Sequence, residues 1–309
     1  MTRDVTNVAA SVRQRLWNLA RERKDDFGLV LTKYGLERFL YRIARSEHRE
    51  LFVLKGALLF ELWTGQRYRP TRDADFLAKG PNSPERFAAI FKELCDARVE
   101  DDGLRYDASS VKAERITEDA DYEGIRITFA GYIEKARIPV QIDLGFGDAV
   151  TPGPIEAELP TLLNLPAPKL LTYPRETVVA EKFEATVSLG LPNSRMKDLH
   201  DIRTLCRETS FNGRLLTEAM GKTFRRRGTE VPVRPLVFTS EFFDNDDKKK
   251  QWGAFCNKNR TYVPEIPLET VCREIRAFLR PVIEGMRKRE RFRMHWRAGG
   301  PWQQVSDDK

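Results

Sequence analysis

Two stretches hold most of the side chains able to do chemistry. Leu54-Lys55-Gly56-Ala57-Leu58-Leu59-Phe60 is followed, after a polar interval, by Arg69-Pro70-Thr71-Arg72-Asp73-Ala74-Asp75-Phe76. Asp73 and Asp75 stand two apart, so on an extended strand both carboxylates point to one side and can share a divalent cation. Octahedral Mg²⁺ takes a few hard oxygens and keeps positions for water and phosphate, which such a pair supplies. A solvated turn would read the same in isolation. Gly56 and the start of the next helix can offer backbone N–H groups to a phosphate, with Lys55 as a point charge beside them. Gln141-Ile142-Asp143-Leu144 sets a third acid within an alternating apolar strand. Such an Asp either turns outward or is held at a site, because a buried carboxylate needs a cation or donors. Two acids on one strand and a third on a neighbour is a pattern suited to two-metal nucleotidyl transfer.

A second group follows. Lys182, in Ala180-Glu181-Lys182-Phe183, lies on the edge of an apolar helical face, placed either for solvent or for a triphosphate. Asp198 and Asp201 are three apart at a helix start and share a face, with helix capping by Asp198 as the alternative. His200 has no Ser or Cys partner and reads as packed or capping. Neither G-x-x-x-x-G-K-[ST] nor G-x-G-x-x-G occurs, which argues against P-loop and Rossmann chemistry.

These residues must be positioned by elements of changing period. Val5 to His48 has the apolar spacing of two helices divided near Phe27-Gly28, and Leu51 to Leu54 reads as a buried strand turning into a helix over Ala57–Trp63. Ala74–Ala78 predicts a second strand, Pro84–Cys95 an amphipathic helix with proline at its start, and Ile125–Phe129 and Arg137–Leu144 alternating strands. A Pro- and Gly-rich loop over Gly147–Pro168 is the expected domain boundary. Helical patterns follow at Glu176–Leu189, Lys197–Glu208, Arg214–Arg226, Ser240–Lys258 and Leu268–Arg289. The expected organisation is a helical pair over residues 1–50, a sheet domain over 51–165, an all-helical region over 166–300 and a flexible tail over 301–309, an α+β arrangement.

Composition bounds the partners. Of 309 residues 32% are charged and 41% hydrophobic, and the mean hydropathy is −0.51, as in soluble globular chains rather than disordered or membrane ones. No run approaches the ~20 apolar residues of a membrane span and no secretory signal is legible at the start, so a cytoplasmic location without membrane contact is expected. Cys95, Cys206, Cys256 and Cys272 lack C-x-x-C spacing and read as reduced thiols. The net charge of +7 is unevenly spread: residues 101–200 carry 11 basic and 17 acidic groups, residues 201–309 carry 23 and 15. The basic clusters, among them Arg225, Arg226, Arg227 and Arg287, Lys288, Arg289, are interleaved with Phe292, His295 and Trp296. They suit RNA contact through phosphates and unpaired bases.

Taken in order, K-G-x-x-L, R-x-T-x-D-x-D-F, Q-I-D, A-E-K-F-x-A and M-K-D-x-x-D-I over roughly Leu51–Arg207 resemble the nucleotidyltransferase AbiEii/AbiGii toxin family of type IV toxin–antitoxin systems, including its MenT-type members. The resemblance implies a polymerase-β-like core of mixed sheet and flanking helices with a helical C-terminal region, using an NTP and Mg²⁺ or Mn²⁺. It implies transfer of NMP to the 3′ acceptor end of tRNA, which blocks aminoacylation and growth, and a cognate antitoxin acting directly or indirectly on a monomeric toxin. Its first motif falls on Lys55, Gly56, Thr71, Asp73 and Asp75, with Ala57 where the family often has a second Gly. Asp73, Asp75 and Asp143 would hold metal. Lys55, Gly56, Thr71, Lys182 and Lys197 would meet the NTP, and Asp198 would support catalysis. The same acids would serve transfer to a protein hydroxyl (AMPylation) or a small molecule, and a catalytically inactive RNA-binding protein would retain the basic clusters.

Overall fold

Alternation along each strand decides which side of the central sheet is buried. The computed structural model describes residues 7–119, 122–288 and 291–304. In it β1 (Phe52–Lys55), β2 (Asp73–Ala78), β3 (Arg105–Asp119), β4 (Tyr122–Ile133), β5 (Ala136–Phe146), β6 (Ile155–Glu158) and β7 (Lys169–Thr172) form one mixed sheet in the order β3-β4-β5-β2-β1-β7-β6. β2 runs parallel to β5 and β1 parallel to β7, and the other neighbours are antiparallel. Along β5, Ile138, Val140 and Ile142 are buried on one face while Arg137 and Pro139 are exposed on the other. Phe76 of β2 and Phe129 of β4 lie on the same apolar face.

Within the first unit, the N-terminal helices and the helix after β2 pack on that face. α1 (Val8–Arg23) and α2 (Phe27–Arg45) form the N-terminal pair, α3 (Leu59–Thr64) follows β1, and α4 (Pro84–Cys95) follows β2. Phe39 of α2 stacks on Phe91 of α4 at 5.6 Å and meets Phe129 at 4.5 Å, while Phe52 meets Phe76 at 5.6 Å. Val12, Leu16 and Ala20 of α1 pack with Val30, Leu31 and Tyr34 of α2 against Ile133 and Ile138. The helical pair divides three residues before the expected place: Lys24 ends α1 in the left-handed region and Asp26 caps α2 by accepting from Leu29 N–H. Phe27-Gly28 is the first turn of α2. Pro84 starts α4 as expected, behind a Ser83 cap.

Within this helical pair one acid is held against its nature. Glu37 of α2 is buried, with Oε2 accepting from Leu162 N–H at 2.7 Å and Oε1 without a hydrogen-bond partner. Burial pushes its carboxyl up to about 7, only partly offset by the Leu162 N–H and Arg38. Between the ordinary carboxylate value and pH 7 the folded state keeps a proton that the unfolded chain has released, so stability falls as pH rises through this window. Glu37→Gln is expected to leave stability unchanged below pH 4 and to raise it by about 2–3 kcal/mol at pH 8, read by urea unfolding at both values. An equal effect at both pH values would overturn this reading.

The chain forms two compact units, one of residues 1–62, 70–147 and 155–172, the other of residues 63–69, 148–154 and 173–309. It therefore passes between units repeatedly instead of once in the Pro-rich loop, which itself contributes β6 to the sheet and is followed directly by β7. The second unit contains α5 (Arg175–Leu189), α6 (Met196–Glu208), β8 (Phe211–Asn212), α7 (Gly213–Arg226), α8 (Ser240–Phe243), α9 (Asp246–Lys258), α10 (Leu268–Lys288), β9 (Met294–Trp296) and β10 (Trp302–Gln304). Two expectations need correction there. The single helix over Ser240–Lys258 is two, because Asn245 leaves the helical region and caps α9 by accepting from the Asp247 and Lys248 N–H groups. The region is not all-helical, since β8, β9 and β10 form a small antiparallel sheet. The chain after residue 300 is accordingly paired strand as far as Gln304, with Trp302 Nε1 donating to Phe278 O at 2.8 Å.

Candidate nucleotidyl transfer site

Cross-strand register sets four charged side chains in a row. Lys55 of β1 is opposite Asp75 of β2, Asp75 opposite Asp143 of β5, and Asp143 opposite Arg126 of β4. Directly opposed residues share a face, so the row runs plus, minus, minus, plus across the side of the sheet opposite the apolar one. Asp73 precedes Asp75 by one pleat on the same side and is opposite Gln141. This brings together Lys55, Gly56, Thr71, Asp73, Asp75 and Asp143, with Lys55 and Asp143 buried and Asp73 and Asp75 half-buried.

Gly56 is constrained twice. Its φ of +81° is open to glycine and strained for other residues, and a Cβ there would lie 2.2 Å from Asp75 Oδ2. The turn from β1 toward α3 thus lies against the carboxylate, with Ala57 in the position after it. Thr71 donates its hydroxyl to Asp73 Oδ1, which fixes one carboxylate rotamer at the entry to β2.

Asp143 resolves the two alternatives its sequence leaves open: it is held by donors. Arg126 Nε and Nη2 each reach one of its oxygens at 2.8 Å, and Gln141 Nε2 adds a contact at 3.2 Å. Two hard-oxygen donors on one strand edge, Asp73 and Asp75, fit a divalent cation. Among the described residues the three carboxylates do not gather within a single ligand sphere, and the side chains that do are Glu47, His48 and Glu93 at the surface, where His48 Nε2 is 2.9 Å from Glu93 Oε2.

Arg126 is the residue that motif reading passes over. Its signal is the connection of β4 to β5: Ile133 pairs with Ala136 across a two-residue turn, and counting back from that turn sets Arg126 against Asp143. The turn carries Glu134 at φ +50° instead of the Asn or Gly that would advertise it.

Lys182, Lys197 and Asp198 belong to the second unit. Lys182 of α5 reaches Asp198 at 2.7 Å and Asp201 at 2.8 Å, both on one face of α6. Arg195 Nε donates to Asp198 Oδ2 at 2.8 Å, and Asp201 accepts from Tyr68 OH at 2.6 Å and from Arg69 at 2.9 and 2.7 Å. Asp198 is therefore an ion-pair partner and not a helix cap, and Lys182 is largely buried instead of solvated. Burial alone would lower the lysine and raise Asp201. The opposed charges outweigh it in both, raising Lys182 and holding Asp201 well below the usual carboxylate range. Lys197 is exposed on the same helix. His200 is packed as expected, stacked on Tyr68 at 5.5 Å with burial pushing it down to about 4. Arg69 and Tyr68, 132 and 133 positions from Asp201, carry no local signal of this role.

The basic clusters divide. Arg225 and Arg226 in the last turn of α7, and Arg287 and Lys288 in the last turn of α10, are exposed. Arg227 is engaged, with Nη1 2.7 Å from Glu184 Oε2 and Asp148 3.8 Å away. Arg289 lies outside the described residues. The neighbouring aromatics are packing residues: Trp296 is buried and donates Nε1–H to Cys206 O at 2.6 Å, and Phe292 meets Trp302 at 4.9 Å. His295, the third aromatic of the cluster, is exposed, and Phe292 is half-buried.

No described helix is long and apolar enough to cross a membrane. Among curated proteins nothing matches the chain. Two solved structures are similar in outline. One, from H. pylori, is of a protein provisionally named a nucleotidyltransferase, with 16% identity, a TM-score of 0.46 and coverage of 82% of this chain and 94% of that one. The other is JHP933 from Helicobacter pylori, with 15% identity, a TM-score of 0.42 and coverage of 82% and 90%. The family profile of the nucleotidyl transferase AbiEii toxin, type IV toxin–antitoxin system, matches residues 38–280. That span takes in Lys55, the paired aspartates, Arg126 with Asp143, and the Lys182 cluster, and by it the chain belongs to the AbiEii family of nucleotidyl transferase toxins.

Proposed function

We propose that this toxin transfers NMP from an NTP to the 3′ acceptor end of tRNA in a reaction that requires Mg²⁺ or Mn²⁺. The observation that carries the reading is the pair Asp73 and Asp75, set on the polar face of the sheet between the Lys55–Gly56 turn and Asp143. Asp73 and Asp75 would hold the cation, with Asp143 as the neighbouring third carboxylate. When bound, the cation neutralises phosphate charge and lowers the pKa of the attacking hydroxyl. Lys55 faces Asp75 across the strands and supplies positive charge toward the triphosphate, and the Gly56 turn supplies backbone N–H groups beside it. Thr71 holds the Asp73 rotamer. Lys182 and Lys197 would bring positive charge to the triphosphate, with Lys182 held by Asp198 and Asp201. Arg225, Arg226, Arg287 and Lys288 give tRNA a basic surface, and a cognate antitoxin counters the toxin in the cytoplasm.

The test incubates the protein with each α-labelled NTP and total RNA, with and without Mg²⁺. Label in the tRNA band, lost with chelator and removable from the 3′ end, is the expected result. Label on protein or on a small molecule, or none on RNA, would overturn it.

A further inference from the structure

We infer that a cavity beside Asp73 grips the phosphodiester backbone of the acceptor strand, a step that rests on the nucleic-acid reading above. The cavity holds about 560 Å³, within the size range of ligand sites, and lies wholly in the first unit. Arg72 before β2, Lys112 of β3 and Arg137 of β5 line it together with Thr128, Gln141 and Asp26. Asp26, the one acid in this group, already accepts from Leu29 N–H as the cap of α2. Elsewhere in this unit Arg126, Arg115 and Arg49 are paired with Asp143, Glu123 and Glu156. Arg72, Lys112 and Arg137 have no such partner among the described residues, so the concavity gathers three cations against the single carboxylate of Asp26.

Register ties this cavity to the acid pair. Asp73, Gln141, Thr128 and Lys112 are successive partners across β2, β5, β4 and β3, and so lie on one face. At about 4.8 Å per strand the row spans roughly 14 Å from Asp73 to Lys112. Lys55 and Gly56 are on β1 and the turn after it, on the opposite flank of β2. Phosphoryl transfer requires the attacking and leaving oxygens roughly in line through phosphorus. The two flanks of the acid pair meet that demand: the triphosphate belongs on the β1 side and the acceptor hydroxyl on the β5 side, with the preceding phosphates running toward Lys112 and Arg137. In the step the acceptor 3′-oxygen bonds to the α-phosphorus, the α–β phosphoanhydride bond breaks, pyrophosphate leaves, and the hydroxyl proton passes to solvent or a neighbouring carboxylate.

The test compares wild type with the Lys112→Ala/Arg137→Ala double variant, both sites being exposed, after thermal unfolding has shown equal stability. Binding of fluorescent bulk tRNA is measured by anisotropy across a salt series, and the KM for NTP by incorporation. A Kd about tenfold weaker at 0.15 M salt, a salt slope shallower by roughly 1–2, and an unchanged KM for NTP are expected. A raised KM for NTP with unchanged tRNA binding would assign the cavity to the nucleotide and overturn the proposal, as would no change in either. If wild type binds tRNA but labels none, the tRNA-transfer reading fails while the binding comparison still decides the cavity. Wild type that binds no tRNA overturns the cavity proposal as well.

Discussion

Asp73→Asn is expected to lower nucleotide incorporation by about 10³-fold, some 4 kcal/mol of transition-state stabilisation, with little change in unfolding temperature. The two effects separate because of where the side chain stands. Asp73 is half-buried at the start of β2, its carboxylate accepts from the Thr71 hydroxyl, and an amide oxygen can still accept that bond. What Asn cannot supply is the negative charge that a hard cation requires of its ligand. The measurements are single-turnover incorporation from a labelled NTP and thermal unfolding of the same preparation. Near-normal incorporation would remove the acid pair from the mechanism, and a loss of stability matching the loss of rate would reduce Asp73 to a structural residue.

Asp201→Asn is expected to have the opposite profile, costing about 3–5 kcal/mol of stability, because it leaves buried cations without their counter-charge. Lys182, Arg69 and Tyr68 all converge on this fully buried carboxylate. Its depressed pKa fixes the pH dependence. The stabilisation is present above the unfolded carboxyl value of about 3.9 and is lost as pH falls through the folded one, so wild-type and variant unfolding curves separate at neutral pH and converge in acid. Urea unfolding at pH 7 and below pH 4 reads both. A difference under about 1 kcal/mol at pH 7 would show that the cluster is not what holds α5 to α6.

These two aspartates show how far the sequence reading reaches. The spacing of Asp73 and Asp75 depends only on the period of a strand, so their shared face is visible before any fold is known. Asp143 is equally visible, and its place opposite Asp75 follows once β2 and β5 are neighbours. The spacing of Asp201 shows its shared helical face with Asp198, but its partners Tyr68 and Arg69 come from a distant segment of the chain with no periodicity of their own. The small sheet of β8, β9 and β10 escaped for another reason: strands of two or three residues are too short to show alternation. Trp296, set among arginines, and Trp302, in a Gly- and Gln-rich end, look like surface residues in the sequence, whereas their indole N–H groups donate to Cys206 O and Phe278 O.

The two-residue turn at Glu134 and Lys135 makes the β4–β5 hairpin a rigid counting device. One residue gained or lost on either strand would move Arg126 and Thr128 to the aromatic side and bring Ile127 out beside the carboxylates. The β4–β5 side of the site can therefore drift by substitution, which retunes its charge, more readily than by insertion or deletion within the hairpin. Diversification of target choice in such a scaffold has to be written letter by letter at fixed positions, with length changes confined to the loops beyond the hairpin.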